Sequence, residues 1–315
     1  MRLRTIAFRL IGLGILALIL LRLDLEATLA TLAGVRWGYL ILALTFNPLL
    51  FGIKSWRWRE LLRMQGIAYR WIDAFLAFVA GLFLGLVTPG RVGEMGKAFY
   101  LKQDLDVPVS EGLANVLMDR LFDLYTILVL GAAGLVWFRL LPGWVLALIV
   151  TGVIGALLMP FALLSQRLAA WGLRLVRQLA FLHRFDARLT RATGRFQKGL
   201  RPLLTPGLVV PLVLTLIAYA LFFGQAQLLA VALDLKVGIV YLAVCLSVAG
   251  VITLLPISFS GLGTRDAVLI ARFAPLGLAA EQAVAFSTLF FLTFYVGSGI
   301  IGAVAWQLKP LEERQ

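Results

Sequence analysis

The chain has 315 residues, 61% hydrophobic and 14% charged, with 29 Lys and Arg against 16 Asp and Glu and a formal net charge of +13. Several apolar runs are long enough to cross a bilayer, so the composition describes an integral α-helical membrane protein and excludes a soluble domain of any size. The basic excess falls in short segments between those runs, which points to a membrane surface and not to nucleic acid.

The N-terminus, Met1, Arg2 and Arg4 followed by Ile6–Leu21, resembles a signal peptide. The nearest cleavage candidate, Ala27-Thr28-Leu29-Ala30, has its alanines one residue too far apart, so a retained first span at about Ile6–Leu23 is expected. A second span is expected at about Trp37–Ile53. Behind it Lys54, Arg57, Arg59, Arg63 and Arg70 interleave with Trp56, Trp58 and Trp71, which reads as a cytoplasmic interface.

The apolar run Ala74–Val87 is 14 residues, roughly 21 Å as a helix, too short for a hydrocarbon core of ~30 Å. It ends in Leu-Val-Thr-Pro-Gly-Arg-Val-Gly-Glu-Met-Gly-Lys, Leu86–Lys97, where Pro89, Gly90 and Gly93 break the helix among Arg91, Glu94 and Lys97. A helix broken at membrane depth needs protein or water around its free backbone groups, and charges there persist where they pair or work. The stretch predicts the tip of a re-entrant hairpin, with a short helix at about Glu94–Gln103 returning the chain. Spans three and four are expected at about Gly112–Trp137 and Trp144–Leu164.

Residues 166–201 carry nine Arg or Lys and one acid, Asp186. Arg184, Arg188, Arg191, Arg195 and Lys198 align on one helical face beside the apolar stripe Phe185, Leu189, Ala192, Phe196 and Leu200. This predicts an amphipathic helix on an anionic cytoplasmic leaflet, a topology determinant first and a lipid contact second.

The second half repeats the plan. A span at Leu208–Val231 precedes an arm at Gly238–Leu255 and a break at Leu255–Asp266 containing Pro256, Ser258, Ser260, Gly261, Gly263 and Arg265. An arm at Ala267–Phe273 and a last span at about Gln282–Trp306 follow. The expected architecture is one all-α polytopic membrane domain, residues 1–315, of about six full spans and two re-entrant hairpins entering from opposite sides. Residues 37–137 and 206–306 would form an inverted repeat, with the site at midplane and both termini cytoplasmic.

In span three Asn115, Asp119, Asp123 and Thr126 share one helical face, with Arg120 about a quarter turn away. These carboxylates would contact a headgroup or carry a proton, or else pair with Arg91, Lys97 or Arg120 to hold the hairpin. Glu94 also suits the start of a short helix. At the second tip, amides among Ser258, Ser260, Gly261 and Gly263 before a helix opening near Thr264 suit a phosphate, with Arg265 as a planar fork. Counting Asp266, four cations face four acids, which fits a zwitterionic or phosphate-bearing headgroup better than a simple ion.

Other chemistry has less support. The lone Cys245 lies in an apolar run and the lone His183 in the basic segment, so neither a disulfide nor a His- or Cys-based metal site is expected. Asp104-Leu105-Asp106 could hold a metal with a nucleotide sugar, but reads as a solvated turn. No nucleotide-binding glycine loop and no Ser/His/Asp set is present, so no cofactor is expected.

The motifs Pro-Gly-Arg-Val-Gly-Glu-Met-Gly-Lys (Pro89–Lys97), Met-Asp-Arg-Leu-Phe-Asp (Met118–Asp123) and Leu-Pro-Ile-Ser-Phe-Ser-Gly-Leu-Gly-Thr-Arg-Asp (Leu255–Asp266) follow in order. Together they resemble the flippase-like membrane domain family, the transmembrane part of lysylphosphatidylglycerol synthases. Lys97, Asp119 and Asp266 stand where the family pattern has Arg, Glu and Glu, keeping charge each time. The resemblance implies a stand-alone member without the synthase domain, moving a lipid between leaflets of the bacterial inner membrane. Aminoacyl-phospholipids, other phospholipids and polyprenyl-phosphate glycolipids are the substrate classes it leaves open. Arg91, Lys97 and Arg265 would meet the phosphate, and Glu94, Asp119 and Asp123 an amine, a hydroxyl or a coupling proton, the headgroup sitting between the tips. Membrane lipids, an anionic lipid at the basic helix and a second copy of the chain are the expected partners. A membrane-embedded enzyme or enzyme subunit acting on a lipid-linked donor is the alternative.

Overall fold

A computed structural model describes residues 25–139, 142–168, 170, 186–254 and 261–311. Helices follow one another as α1 (Leu25–Ala33), α2 (Trp37–Met64), α3 (Trp71–Val87), a 3-10 turn (Pro89–Met95), α4 (Gly96–Leu105), α5 (Val109–Trp137) and α6 (Gly143–Leu164). Then come α7 (Asp186–Leu200), α8 (Val209–Ala232), α9 (Ile239–Thr253), α10 (Thr264–Phe273), α11 (Ala280–Phe290), a π-helical turn (Phe291–Val296) and α12 (Gly297–Leu308). No strand occurs among the described residues. Four stretches, Trp37–Met64, Val109–Trp137, Pro206–Ala232 and Ala280–Leu308, are long and apolar enough to cross a membrane. Trp71–Leu86, Val150–Leu164 and Ile239–Thr253 are shorter apolar helices. The span expected at Ile6–Leu23 lies outside the described residues.

Two of the boundaries that differ from expectation bear on the site. The second span runs on to Met64 instead of stopping near Ile53, because nothing between Lys54 and Met64 breaks a helix and most of those residues favour one. Lys54, Arg57, Arg59 and Arg63 are therefore on this helix, while Arg70 lies in the loop before α3. The returning arm of the first break starts at Gly96, two residues later than expected, because Pro89–Met95 forms a tighter turn first.

The chain forms two compact units. The first comprises Met1–Leu50, Thr126–Thr151 and Tyr219–Ser298. Its core gathers Ala43, Leu229, Leu242, Cys245, Leu269, Phe273, Phe286 and Phe290, and Cys245 is a buried core thiol. Gly131 and Gly134 let α5 approach α9 closely. A Cβ on Gly131 would lie 2.9 Å from the Ser247 carbonyl oxygen, so only a glycine fits there. A buried polar link joins three helical segments: Asn47 donates to the Thr293 carbonyl at 2.8 Å, and Gln225 donates to Asn47 Oδ1 at 2.8 Å.

The second unit comprises Phe51–Tyr125, Gly152–Ala218 and Gly299–Gln315. Here α7 lays Phe196 and Leu200 against Leu61, Ala114, Met118 and Leu203. The apolar stripe expected to face lipid thus buries Leu200 completely within the protein. Arg191, Arg195 and Lys198 stay exposed. Arg184 and Phe185 lie outside the described residues, and of Arg188 only the backbone is described.

Candidate functional site

The first helix break is a hairpin of α3 and α4 joined by the 3-10 turn. Thr88 closes it: its hydroxyl donates to the Leu84 carbonyl at 2.7 Å and accepts the Gly93 N–H at 2.7 Å. Glycines allow the arms to touch. A Cβ on Gly93 would stand 2.1 Å from the Leu84 carbonyl oxygen, and one on Gly81 would stand 2.7 Å from Lys97 Cγ. Pro89 and Gly90 lie in the turn, as does Arg91, of which only the backbone is described. Glu94, 7% exposed, forms an ion pair with Arg120 of α5. Its partner is thus a cation on another helix, not the start of its own.

Lys97, the second residue of the returning arm, is 1% exposed. Its ammonium donates to Asp119 Oδ2 at 2.6 Å and lies 4.6 Å from the centre of the Phe78 ring. Asp119 in turn belongs to a cage around Arg57, whose side chain is fully buried. Arg57 Nε donates to Asp119 Oδ1 at 2.9 Å, and Nη2 to the Asp119 carbonyl at 3.1 Å and Asp123 Oδ2 at 3.2 Å. Nη1 donates to Asp123 Oδ1 at 3.0 Å and Thr215 Oγ1 at 3.2 Å. Every N–H of the guanidinium fork therefore has an acceptor, and a buried charge so satisfied is a structural anchor. Lys54 completes the cluster at 3.0 Å from Asp123 Oδ1, and these two keep 17% and 18% of their side chains accessible. Asn115, one turn before Asp119, donates instead to Gln65 Oε1 at 2.8 Å.

Three cations (Lys54, Arg57, Lys97) thus surround two carboxylates. Asp119 and Asp123 are brought together with Lys97 as the shared helical face predicts, whereas Arg57 and Lys54 were assigned to the membrane interface and not to the site. That interfacial reading is corrected for Arg57 and Trp58, both 0% exposed, while Trp56 and Trp71 are exposed. Their spacing held the signal: Lys54, Arg57, Trp58 and Leu61 fall on one face of α2, which an interfacial segment does not require.

At the second break Gly261 and Gly263 adopt φ of 82° and 79°, the left-handed region that a side chain would strain. Pro256, Ser258 and Ser260 lie outside the described residues. Asp266 Oδ2 accepts the Gly263 N–H at 2.6 Å, so the helix start is capped by the chain's own carboxylate. Arg265, 4% exposed, points elsewhere. Its Nε donates to Ser287 Oγ at 2.7 Å and its Nη2 to the Ser287 carbonyl at 3.2 Å. Its guanidinium carbon lies 5.2 Å from the Phe290 ring centre and 5.9 Å from that of Tyr295. Among the described residues it has no ion pair, and its Nη1 donates no hydrogen bond. Also among the described residues, no group of three His, Cys, Asp or Glu side chains is placed to hold a metal ion.

A family model described as the lysylphosphatidylglycerol synthase TM region matches residues 6–302. The chain belongs to this family. It is also similar to a UPF0104 membrane protein of Methanocaldococcus jannaschii, 24% identical over 301 residues that cover 90% of this chain and 88% of the relative. A UPF0104 membrane protein of Methanothermobacter thermautotrophicus is 24% identical over 88% of this chain and 85% of its own length. Glycosyltransferase AglD of Haloferax volcanii is 28% identical over 86% of this chain, but the match spans only 49% of AglD. Family membership and the apolar helices together describe a multi-pass membrane protein.

Proposed function

We propose that the protein moves a phosphate-bearing lipid between the leaflets of a membrane. Arg265 carries this reading. A guanidinium 4% exposed, held by one serine and two aromatic rings, is a buried cation with no carboxylate at ion-pair distance among the described residues, the charge of Asp266 acting on it only through space. Burial of an unpaired charge is costly, and a lipid phosphate docking on the free edge of the fork would supply the missing anion. Asp266 turns its carboxylate to the Gly263 N–H, so it acts on Arg265 at a distance and makes no hydrogen bond to the fork. In this reading the hairpins α3–α4 and α9–α10 are re-entrant, because each apolar arm is too short to cross the core. The full spans then number about six and both termini face the cytoplasm. The cage of Arg57, Asp119, Asp123 and Lys97 fastens the first hairpin, leaving Lys54 and Asp123 as its accessible members. Phospholipids, aminoacyl-phospholipids and polyprenyl-phosphate glycolipids all carry the required phosphate.

The second reading is an enzyme, or a subunit of one, acting on a lipid-linked donor. The likeness to glycosyltransferase AglD favours it. Against it, Asp104 and Asp106, the nearest approach to a metal-binding Asp-x-Asp, are both engaged: Asp104 with Tyr69 and Lys309, and Asp106 with Lys102. Proteoliposomes loaded with headgroup-labelled lipids separate the two. The transport reading expects unchanged lipid in the opposite leaflet and at least a tenfold slower rate in folded Arg265→Gln. Chemically converted lipid, or a rate that Arg265→Gln leaves untouched, would sink it.

A further inference from the structure

The basic helix α7 does more than carry charge. Against the end of α4 and the start of α5 it borders an open cavity of about 440 Å³, whose polar lining is Lys102, Ser110 and Arg195 and whose apolar lining includes Pro108, Leu113 and Ala192. All these residues belong to the second compact unit. The volume is that of a small-molecule site. The arrangement is amphipathic at one spot: two exposed cations and a hydroxyl on one side, aliphatic carbon on the other. Lys102 pairs with Asp106, which leaves Arg195 as the cation able to turn a planar fork toward an anion. Further along α7, Arg191 and Lys198 are exposed and add to the positive field around the mouth.

We propose that this cavity holds the phosphodiester headgroup of an acidic membrane phospholipid. A membrane lipid fits better than a soluble phosphate because the polar lining is backed by Leu113, Pro108 and Ala192, which match the glycerol and first acyl carbons. The site is separate from Arg265, and its occupant is a resident lipid, not the cargo. It has a mechanical connection to the first hairpin, since Lys102 and the caged Lys97 sit on the same short helix, α4. A bound headgroup would therefore brace the returning arm.

The test is lipid binding to the purified full-length protein in detergent, read by native mass spectrometry and thermal shift. Dioleoyl phosphatidylglycerol, dioleoyl phosphatidylcholine and inorganic phosphate are the probes. Four proteins are compared: wild type, Lys102→Gln with Arg195→Gln, Arg191→Gln with Lys198→Gln, and Ala192→Phe. The first pair removes the cavity's charges, and the second removes equal charge outside it. Ala192→Phe fills the cavity while keeping every charge. The expected result is phosphatidylglycerol bound at least tenfold more tightly than phosphatidylcholine. That preference should be lost in the cavity pair and in Ala192→Phe, and change less than threefold in the outer pair. Equal losses in both charge pairs would mean a diffuse surface attraction and would overturn the site. So would tight binding that survives Ala192→Phe. Displacement of the lipid by millimolar inorganic phosphate would assign the cavity to a soluble anion and overturn the lipid assignment.

Discussion

Among the described residues each compact unit buries one arginine, and the two are held in opposite ways. Arg57 meets two carboxylates, a carbonyl and a hydroxyl, and each of its N–H groups has an acceptor. Arg265 meets a hydroxyl, a carbonyl and two rings, with no carboxylate among the described residues. Both pay the cost of leaving water, but among the described residues only Arg57 is met by carboxylates at ion-pair distance. A cation whose counter-charges are built in serves the fold. A cation without one is a liability to the fold unless something else brings the anion, and intramembrane charges that persist on those terms mark function. Under the proposed function the same guanidinium group is a rivet in one unit and would be a receptor in the other.

The comparison breaks most sharply at Asp119. Removing it leaves three cations, Lys54, Arg57 and Lys97, around Asp123 alone. Asp119→Asn should therefore lose about 3–5 kcal/mol in a reversible unfolding measurement, the usual cost of stranding a buried partner. Arg57→Met should cost less, about 1–3 kcal/mol, because two lysines then still face two aspartates. If Arg57→Met proves the more damaging, the cage is held by hydrogen-bond geometry and not by charge balance. Arg265→Met should behave in the contrary manner. Its stability should change by no more than about 1 kcal/mol or rise, as is common when a strained functional charge is replaced by an apolar side chain, while transport disappears. A loss of stability matching that of Asp119→Asn would show that Arg265 is a second rivet.

A smaller effect separates the hairpin's backbone from its charges. Gly93→Ala puts a methyl 2.1 Å from the Leu84 carbonyl oxygen, a backbone atom that cannot swing aside. The turn must open, at about 1–3 kcal/mol. Gly85→Ala meets the flexible Glu94 side chain, with Cγ at 2.3 Å, so Glu94 can shift at the expense of its pairing with Arg120. Circular dichroism melts should rank Gly93→Ala as the less stable of the two. The reverse order would mean that the Glu94–Arg120 pair, not the close backbone approach, sets the hairpin.

How much of this was legible follows from which signals are local. Pro89, Gly90 and Gly93 break a helix wherever they stand, so the first turn could be located from the chain alone. The spacing of four, four and three residues among Asn115, Asp119, Asp123 and Thr126 likewise places a polar face on α5. Arg57 was missed because a count of charge along the chain cannot distinguish an interfacial cation from one that a continuing helix turns inward. Only the position of α5 beside α2 decides that, and it is a long-range fact. Arg265 was found as a candidate for a local reason, its place after Gly261 and Gly263. Its lack of a carboxylate partner, which now carries the functional argument, depends on Ser287, Phe290 and Tyr295 arriving from α11 and the π-helical turn.

The gentlest test concerns the last charged contact among the described residues. Lys309 lies 3.1 Å from Asp73 and 2.8 Å from Asp104, at the two ends of the α3–α4 hairpin. Tyr100 Oη donates to the Lys309 carbonyl at 2.7 Å, and Tyr69 donates to Asp104. Burial works against the ammonium, but hydrogen bonds and attraction to Asp104 and Asp73 outweigh it and raise its pKa above the ordinary 10.5. Burial first, and then the bond to Asp104, push the Tyr69 phenol above its ordinary 10.0. In both cases the folded chain holds its proton more tightly than the unfolded one. Their stabilisation is therefore complete below about pH 10 and is lost as pH rises through the folded values. Melting temperature should fall on the alkaline side of pH 10, and Lys309→Met should flatten that limb. At neutral pH the same substitution should cost about 1 kcal/mol or less, as befits ion pairs near the surface. An unchanged alkaline limb in Lys309→Met would assign the loss to Tyr69 alone, and the hairpin's two ends would then be joined by the phenol and not by the lysine.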